Sequence, residues 1–191
     1  KISCHNPCTG SSHAVQGLCQ LIFDDVPDRY FMARLNDAVD CERLIRSAGS
    51  FDLKFFCPDP FAYAITDETF SITEEGIHTI TRNIGNIESL PVYRISGVIT
   101  AGASNYISIT TNGSELKIVN ATLSEGETLV VDTDKMTAYV VDENGETLRN
   151  GLPYLQELNF PTLAVGENTV TVEVNNATLT ELQIGAKSRW R

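Results

Sequence analysis

The sequence predicts an all-β protein built from antiparallel sheets. Three observations carry that expectation. From about residue 69 onward, short runs rich in Val, Ile, Thr and Tyr alternate with Gly, Asn and Asp turn clusters. They recur every 8–12 residues or so, the rhythm of a sandwich or barrel. Asn112-Gly113 and Asn144-Gly145 stand between such runs, and Asn-Gly is the dipeptide that tight hairpin turns favour. In "TVTVEVN", Val170, Val172 and Val174 fall on one strand face, and Thr and Glu fall on the other. That places one face on a core and one in water.

The elements follow in order. Residues 1–19 have neither helical nor strand period and read as loop. Leu21, Ile22 and Phe23 form a short strand. Asp24, Asp25, Pro27 and Asp28 make a turn, and Tyr30 to Leu35 a second strand; the pair reads as a hairpin with a longer loop. Residues 37–48 fit one or two helical turns closed by Gly49. Phe51, Leu53 and Phe55 alternate in a half-buried strand that stops at Pro58 and Pro60, which cannot donate ladder hydrogen bonds. Beyond it, strands are expected in "TFSIT", "IHTITRN", "PVYRISGVIT", "YISITT", "LKIVN", "TLVVDT", "TAYVVD", "ELNFPTLAV", "TVTVEVN" and "TLTELQIGAKSRW". No long helix fits after residue 50.

Charge narrows the function classes. The formal net charge is −11, and residues 61–191 carry 17 acidic and eight basic side chains. Such a surface repels phosphate, so neither specific nucleic-acid binding nor docking on anionic lipid is expected. No apolar run approaches the ~18–20 residues of a membrane-spanning helix, so no membrane insertion is expected and a soluble protein is. The five cysteines, at 4, 8, 19, 41 and 57, are odd in number and confined to the first third. They read as thiols in a reducing compartment.

No catalytic or metal constellation emerges. Cys4, His5 and Cys8 have half of a zinc spacing, and the second pair is missing. Cys57, between Phe56 and Pro58, reads as a small buried hydrophobe. His78 alternates with isoleucines. Asp132 and Asp134 begin like a calcium loop, but Met136 occupies the next ligand position. Neither metal nor cofactor is expected, and no enzyme activity. A carbohydrate-binding sandwich attaching to cell-surface glycans is the alternative reading, with Tyr93, Tyr106, Tyr139 and Tyr154 as candidate sugar contacts. The Asn-x-Ser/Thr triplets at Asn112, Asn120 and Asn176 read as coincidence in an Asn- and Thr-rich chain.

Four motifs in order carry a resemblance. They are Cys57-Pro58-Asp59-Pro60, Asn83-Ile84-Gly85 with Pro91, Gly166-Glu167-Asn168 with Val170, and Arg189-Trp190-Arg191. With "LIFDDVPDRYFMARL" upstream, they span residues ~20–191. This order resembles the siphovirus distal tail protein family, a component of phages with long, non-contractile tails. The resemblance implies two domains. Residues 1–82 would be a partial, belt-type sandwich, shorter at its N-terminus than the family's ring-forming domain. Residues 83–191 would be a galectin-like antiparallel sandwich. It implies a structural role as a homo-hexameric ring, the hub joining the tail tube to tail-tip or baseplate proteins. The place would be the virion tail of a phage or prophage, after assembly in the bacterial host cytoplasm. On this reading Cys57 has no chemical role.

Overall fold

The computed structural model describes the backbone of residues 2–5, 17–36, 41–45, 48–51 and 53–191, and the side chains of 17–36 and 53–191. It is an antiparallel, all-β chain; among the described residues the one helical element is a 3₁₀ turn, Leu152–Tyr154. The chain divides into two compact units, Lys1–Ile65 with Arg191, and Thr66–Trp190.

In the first unit, β1 (Ile2–His5), β2 (Cys19–Phe23), β3 (Val26–Leu35) and β7 (Ala62–Ala64) are neighbours in that order. β4 (Cys41–Ile45) and β5 (Ala48–Phe51) form a separate hairpin, and β6 (Phe55–Phe56) pairs with β3. Cys19, Leu21, Ala33 and Ala62 are buried. The Phe23 and Phe31 rings meet edge to face at 6.0 Å, a geometry the ring quadrupoles favour.

The second unit packs two sheets face to face. β15 (Thr147–Asn150), β14 (Thr137–Val141), β13 (Thr128–Asp132), β10 (Val92–Ile99), β17 (Ala177–Gly185) and β8 (Thr69–Ile72) form one sheet in that order. β12 (Ser114–Val119), β11 (Tyr106–Thr111), β16 (Gly166–Asn175) and β9 (Gly76–Arg82) form the other. Alternate residues from both sheets face one core, among them Ile95, Ile107, Ile109, Leu129, Val140, Val170, Val172, Leu182 and Ile184. The predicted valine face of β16 is there: Val170 and Val172 are buried, and Val174 packs against the core.

Several expectations change. The second unit begins at Thr66 rather than at residue 83, because β8 and β9 hydrogen-bond into its two sheets, through Leu182↔Ile72 and Asn168↔Ile80. The helix expected over 37–48 is absent from its described part: 41–45 and 48 lie in the β4–β5 hairpin, where Gly49 pairs with Arg43 as a strand residue rather than a cap. The loop between β2 and β3 is only Asp24-Asp25, with Phe23 opposite Val26, so Pro27 lies inside β3. The strand expected from Phe51 to Cys57 is broken, with only Phe55 and Phe56 pairing after Phe51. "ELNFPTLAV" is extended coil: Pro161 has no ladder donor, and only Leu163 makes a bridge, to Ser89. Cys19 is disulfide-bonded, so the all-thiol expectation fails there. The zinc candidates Cys8 and the side chains of Cys4 and His5 lie outside the described residues.

Candidate functional site

Three of the four motifs converge on a residue that the motif reading missed, Arg82. It ends β9, two residues after the buried Ile80 and on the same strand face, and its side chain is fully buried. An arginine there must satisfy its donors locally. Nε donates to the Ala164 carbonyl at 3.0 Å, Nη1 to Ile84 O at 2.9 Å, and Nη2 to Ile87 O. Burial pulls the guanidinium below its ordinary value, and the carboxylates of Asp67, Glu68 and Glu88 act against that pull. Guanidinium stays charged in proteins, so Arg82 is a fixed cationic node binding three backbone carbonyls from two segments of the chain.

The motif residues pack around this node. The Glu68 carboxylate accepts from the backbone N–H of Asn83 at 2.9 Å, from Asn83 Nδ2 at 3.1 Å and from the Ile84 N–H at 3.1 Å. Gly85 has φ +91°, and a Cβ there would sit 2.7 Å from Arg189 O and 2.8 Å from Arg82 Nη1. Only glycine meets both demands. The next residue, Asn86, donates its N–H to that same Arg189 O at 3.2 Å. Arg189 returns the contact, Nε to Glu88 O at 2.8 Å. The Ser188 N–H donates to Asp67 at 2.7 Å.

Asn168 organises the other side. It is 1% exposed. Its Oδ1 accepts from the Ala164 N–H at 2.8 Å and from Asn112 Nδ2 at 2.7 Å. Its Nδ2 donates to Ala164 O and Gly166 O. Gly166, at φ +85°, supplies the left-handed step of that turn. Asn168 therefore ties the turn that offers its Ala164 carbonyl to Arg82 to the β11–β12 hairpin. Pro91 is buried just before β10, and its carbonyl accepts from the Thr133 N–H at 3.2 Å. Trp190 is half-buried.

The Cys57-Pro58-Asp59-Pro60 motif lies in the first unit. Asp59 holds the turn, accepting from the Phe61 N–H at 3.1 Å and from the Tyr63 hydroxyl at 2.5 Å. Cys57 is exposed and free, not the buried hydrophobe expected: its neighbours Phe56 and Pro58 are exposed too, so no core forms around it.

The proposed sugar contacts do not assemble. Tyr93 is fully buried and donates to Thr111 Oγ1 at 3.1 Å, and burial pushes its hydroxyl up to about 12. Tyr106 lies on β11 with Lys117 Nζ 4.5 Å from its ring centre. Tyr139 is on β14 of the opposite sheet, and the Tyr154 hydroxyl accepts from Arg149 Nε at 3.1 Å. His78 bonds the Glu74 carbonyl at 2.9 Å. Among the described residues no cluster of His, Cys, Asp or Glu is arranged to hold a metal. The glycosylation-like triplets have a backbone explanation: Asn112, Asn120 and Asn176 all sit at φ near +50°, a conformation asparagine tolerates at turns.

A model of the siphovirus-type tail component, C-terminal domain, matches residues 84–190, the segment wrapped around Arg82. The chain belongs to the siphovirus-type tail component family. The crystal structure of the Dit protein of phage SPP1, described as a paradigm of the hub adsorption apparatus in phages infecting Gram-positive bacteria, is similar in fold. Its TM-score is 0.66 at 16% identity, over 92% of this chain and 66% of that one. This chain thus spans just under two thirds of that protein's length. No curated protein matches. In this tail component, the three motifs within or bordering the matched segment hold backbone to backbone.

Proposed function

We propose that this tail component is a distal tail protein: a ring-forming structural hub, homo-hexameric, that joins the tail tube to the tail-tip or baseplate proteins of a phage or prophage. The family match over residues 84–190 is the observation that carries the reading, and the fold likeness extends it through most of the first unit. In this reading the first unit is the belt-type part of the ring and the second is its galectin-like outer sandwich. Residues such as Asn83, Gly85, Asn168 and Arg189 serve the scaffold, and the work is architectural rather than catalytic. The interface would be of the head-to-tail kind, which closes by rotation into a ring.

Gold-labelled antibodies against residues 66–190, applied to purified tailed particles, test the placement. Label confined to the tail end far from the head is expected. Label along the tube or on the head overturns the reading.

A further inference from the structure

The chain contains three Asn-Gly dipeptides, at Asn112, Asn144 and Asn150. Asn-Gly is chemically labile. The glycine nitrogen, losing its proton to solvent base, attacks the asparagine Cγ. A C–N bond forms, the amide nitrogen leaves as ammonia, and a cyclic succinimide remains. Water then opens the ring at either carbonyl, giving aspartate or isoaspartate. The step needs a free glycine nitrogen, an asparagine amide released from its partners and a backbone able to rotate.

All three asparagines are solvent-exposed, so exposure does not separate them; hydrogen bonding does. Asn112 is clamped. Its Nδ2 donates to Asn168 Oδ1 at 2.7 Å and its Oδ1 accepts from the Thr169 N–H at 3.0 Å, both on β16, more than fifty residues away. The hairpin it sits in has the strand pair Thr111↔Ser114 immediately outside the turn, so rotation there unzips a ladder. At Asn150 the nucleophile is locked: the Gly151 N–H donates to Ala138 O at 2.9 Å. Gly151 is itself buried, with no room for even a Cβ against Leu129 and the Ala138–Tyr139 backbone. The Asn150 Oδ1 also accepts from the Leu152 N–H at 3.1 Å.

At Asn144 the restraints are weaker and local. Its side chain makes a single long bond, Nδ2 to Asp142 Oδ2 at 3.4 Å, and its Oδ1 accepts from no described residue. The Gly145 N–H bonds only to Asp142 O, at 3.0 Å. The hydrogen bonds of the loop 142–146 (Asp142 to Asn144, Gly145 and Glu146) stay within the loop. Local opening breaks no strand pair, and such openings cost far less than global unfolding. A Cβ at Gly145 would meet nothing within 4 Å, so the reacting atoms have space.

We infer that Asn144 is a site of self-catalysed deamidation in the folded protein, and that Asn112 and Asn150 are protected by the fold. The product places another negative charge in the loop between β14 and β15, beside Asp142, Glu143 and Glu146.

The test is peptide mapping by mass spectrometry, with isoaspartate detection, after incubating the folded protein in mildly alkaline buffer. Conversion at Asn144 at least about tenfold faster than at the other two is expected, the ratio that a barrier difference of ~1.4 kcal/mol produces. In strong denaturant the three rates should converge. Comparable rates at the three sites in the folded protein, or faster loss at Asn112 or Asn150, overturn the inference. Asn168→Ala, which releases the Asn112 amide, should raise the Asn112 rate alone; the comparison among sites in the unaltered chain does not depend on that variant folding.

Discussion

Arg82 shows how much one side chain organises. Its guanidinium satisfies three carbonyls that the surrounding turns leave without strand partners. Removing it strands those acceptors in a buried site, at a cost of about 1–3 kcal/mol for each one water cannot reach. Arg82→Met should therefore lower the unfolding free energy by about 3 kcal/mol or more in urea titration. Arg82→Lys should recover only part of that, because an ammonium cannot span the planar fork. Gly85→Ala introduces a Cβ into the Arg189 carbonyl at a left-handed φ and should cost about 2 kcal/mol by the same measurement. An ion pair elsewhere in the second unit gives a pH dependence. Arg149 donates to both carboxylate oxygens of Glu127, at 2.6 and 2.7 Å, and its hydrogen bonds draw that carboxyl from an ordinary 4.5 down to about 2. A depressed folded value means the pair's stabilisation is complete above 4.5 and is lost as pH falls from there toward 2. Glu127→Gln should flatten that part of the stability-versus-pH curve. Of these residues the sequence exposed Gly85 as a motif position but left Arg82 hidden. A charged residue at a strand end reads as solvent-facing, and only its shared parity with Ile80 hints otherwise.

At the scale of elements, the strands after residue 69 were largely legible because their signals are local. Asn112-Gly113 is the clearest case: both residues have positive φ, and Thr111 pairs with Ser114, the two-residue hairpin that the dipeptide favours. Asn144-Gly145 does join paired strands, though across a five-residue loop held by Asp142. What was not legible depends on distant partners. The stretch 37–48 has a helix-compatible composition, and its described residues, 41–45 and 48, lie in a hairpin, tertiary pairing overriding a short local period. The bulge at Ser96/Gly97, where the β10–β17 register shifts, has no sequence signature beyond one glycine in a strand. A Cβ at Gly97 would fall 2.1 Å from the Thr178 carbonyl. Gly97→Ala must therefore push apart two central strands. It should lower the thermal midpoint by more than about 4 °C, the shift that ~1 kcal/mol gives in a domain of this size.

For the whole molecule, the four motifs were legible as an order along the chain, while the convergence of three of them was not. Residues 83–85 and 166–168 are far apart in sequence and meet because β9 and β16 pair in one sheet, with Gly166 opposite Arg82, and Arg189 joins them from beyond β17 of the other sheet. Among the described residues no helix is long and apolar enough to cross a membrane. The proposed hub requires that copies of this tail component close into a ring, and light scattering on a size-exclusion column over a range of concentrations tests it. A species of six times the chain mass that persists on dilution is expected. A monomer at every concentration would overturn the proposed ring.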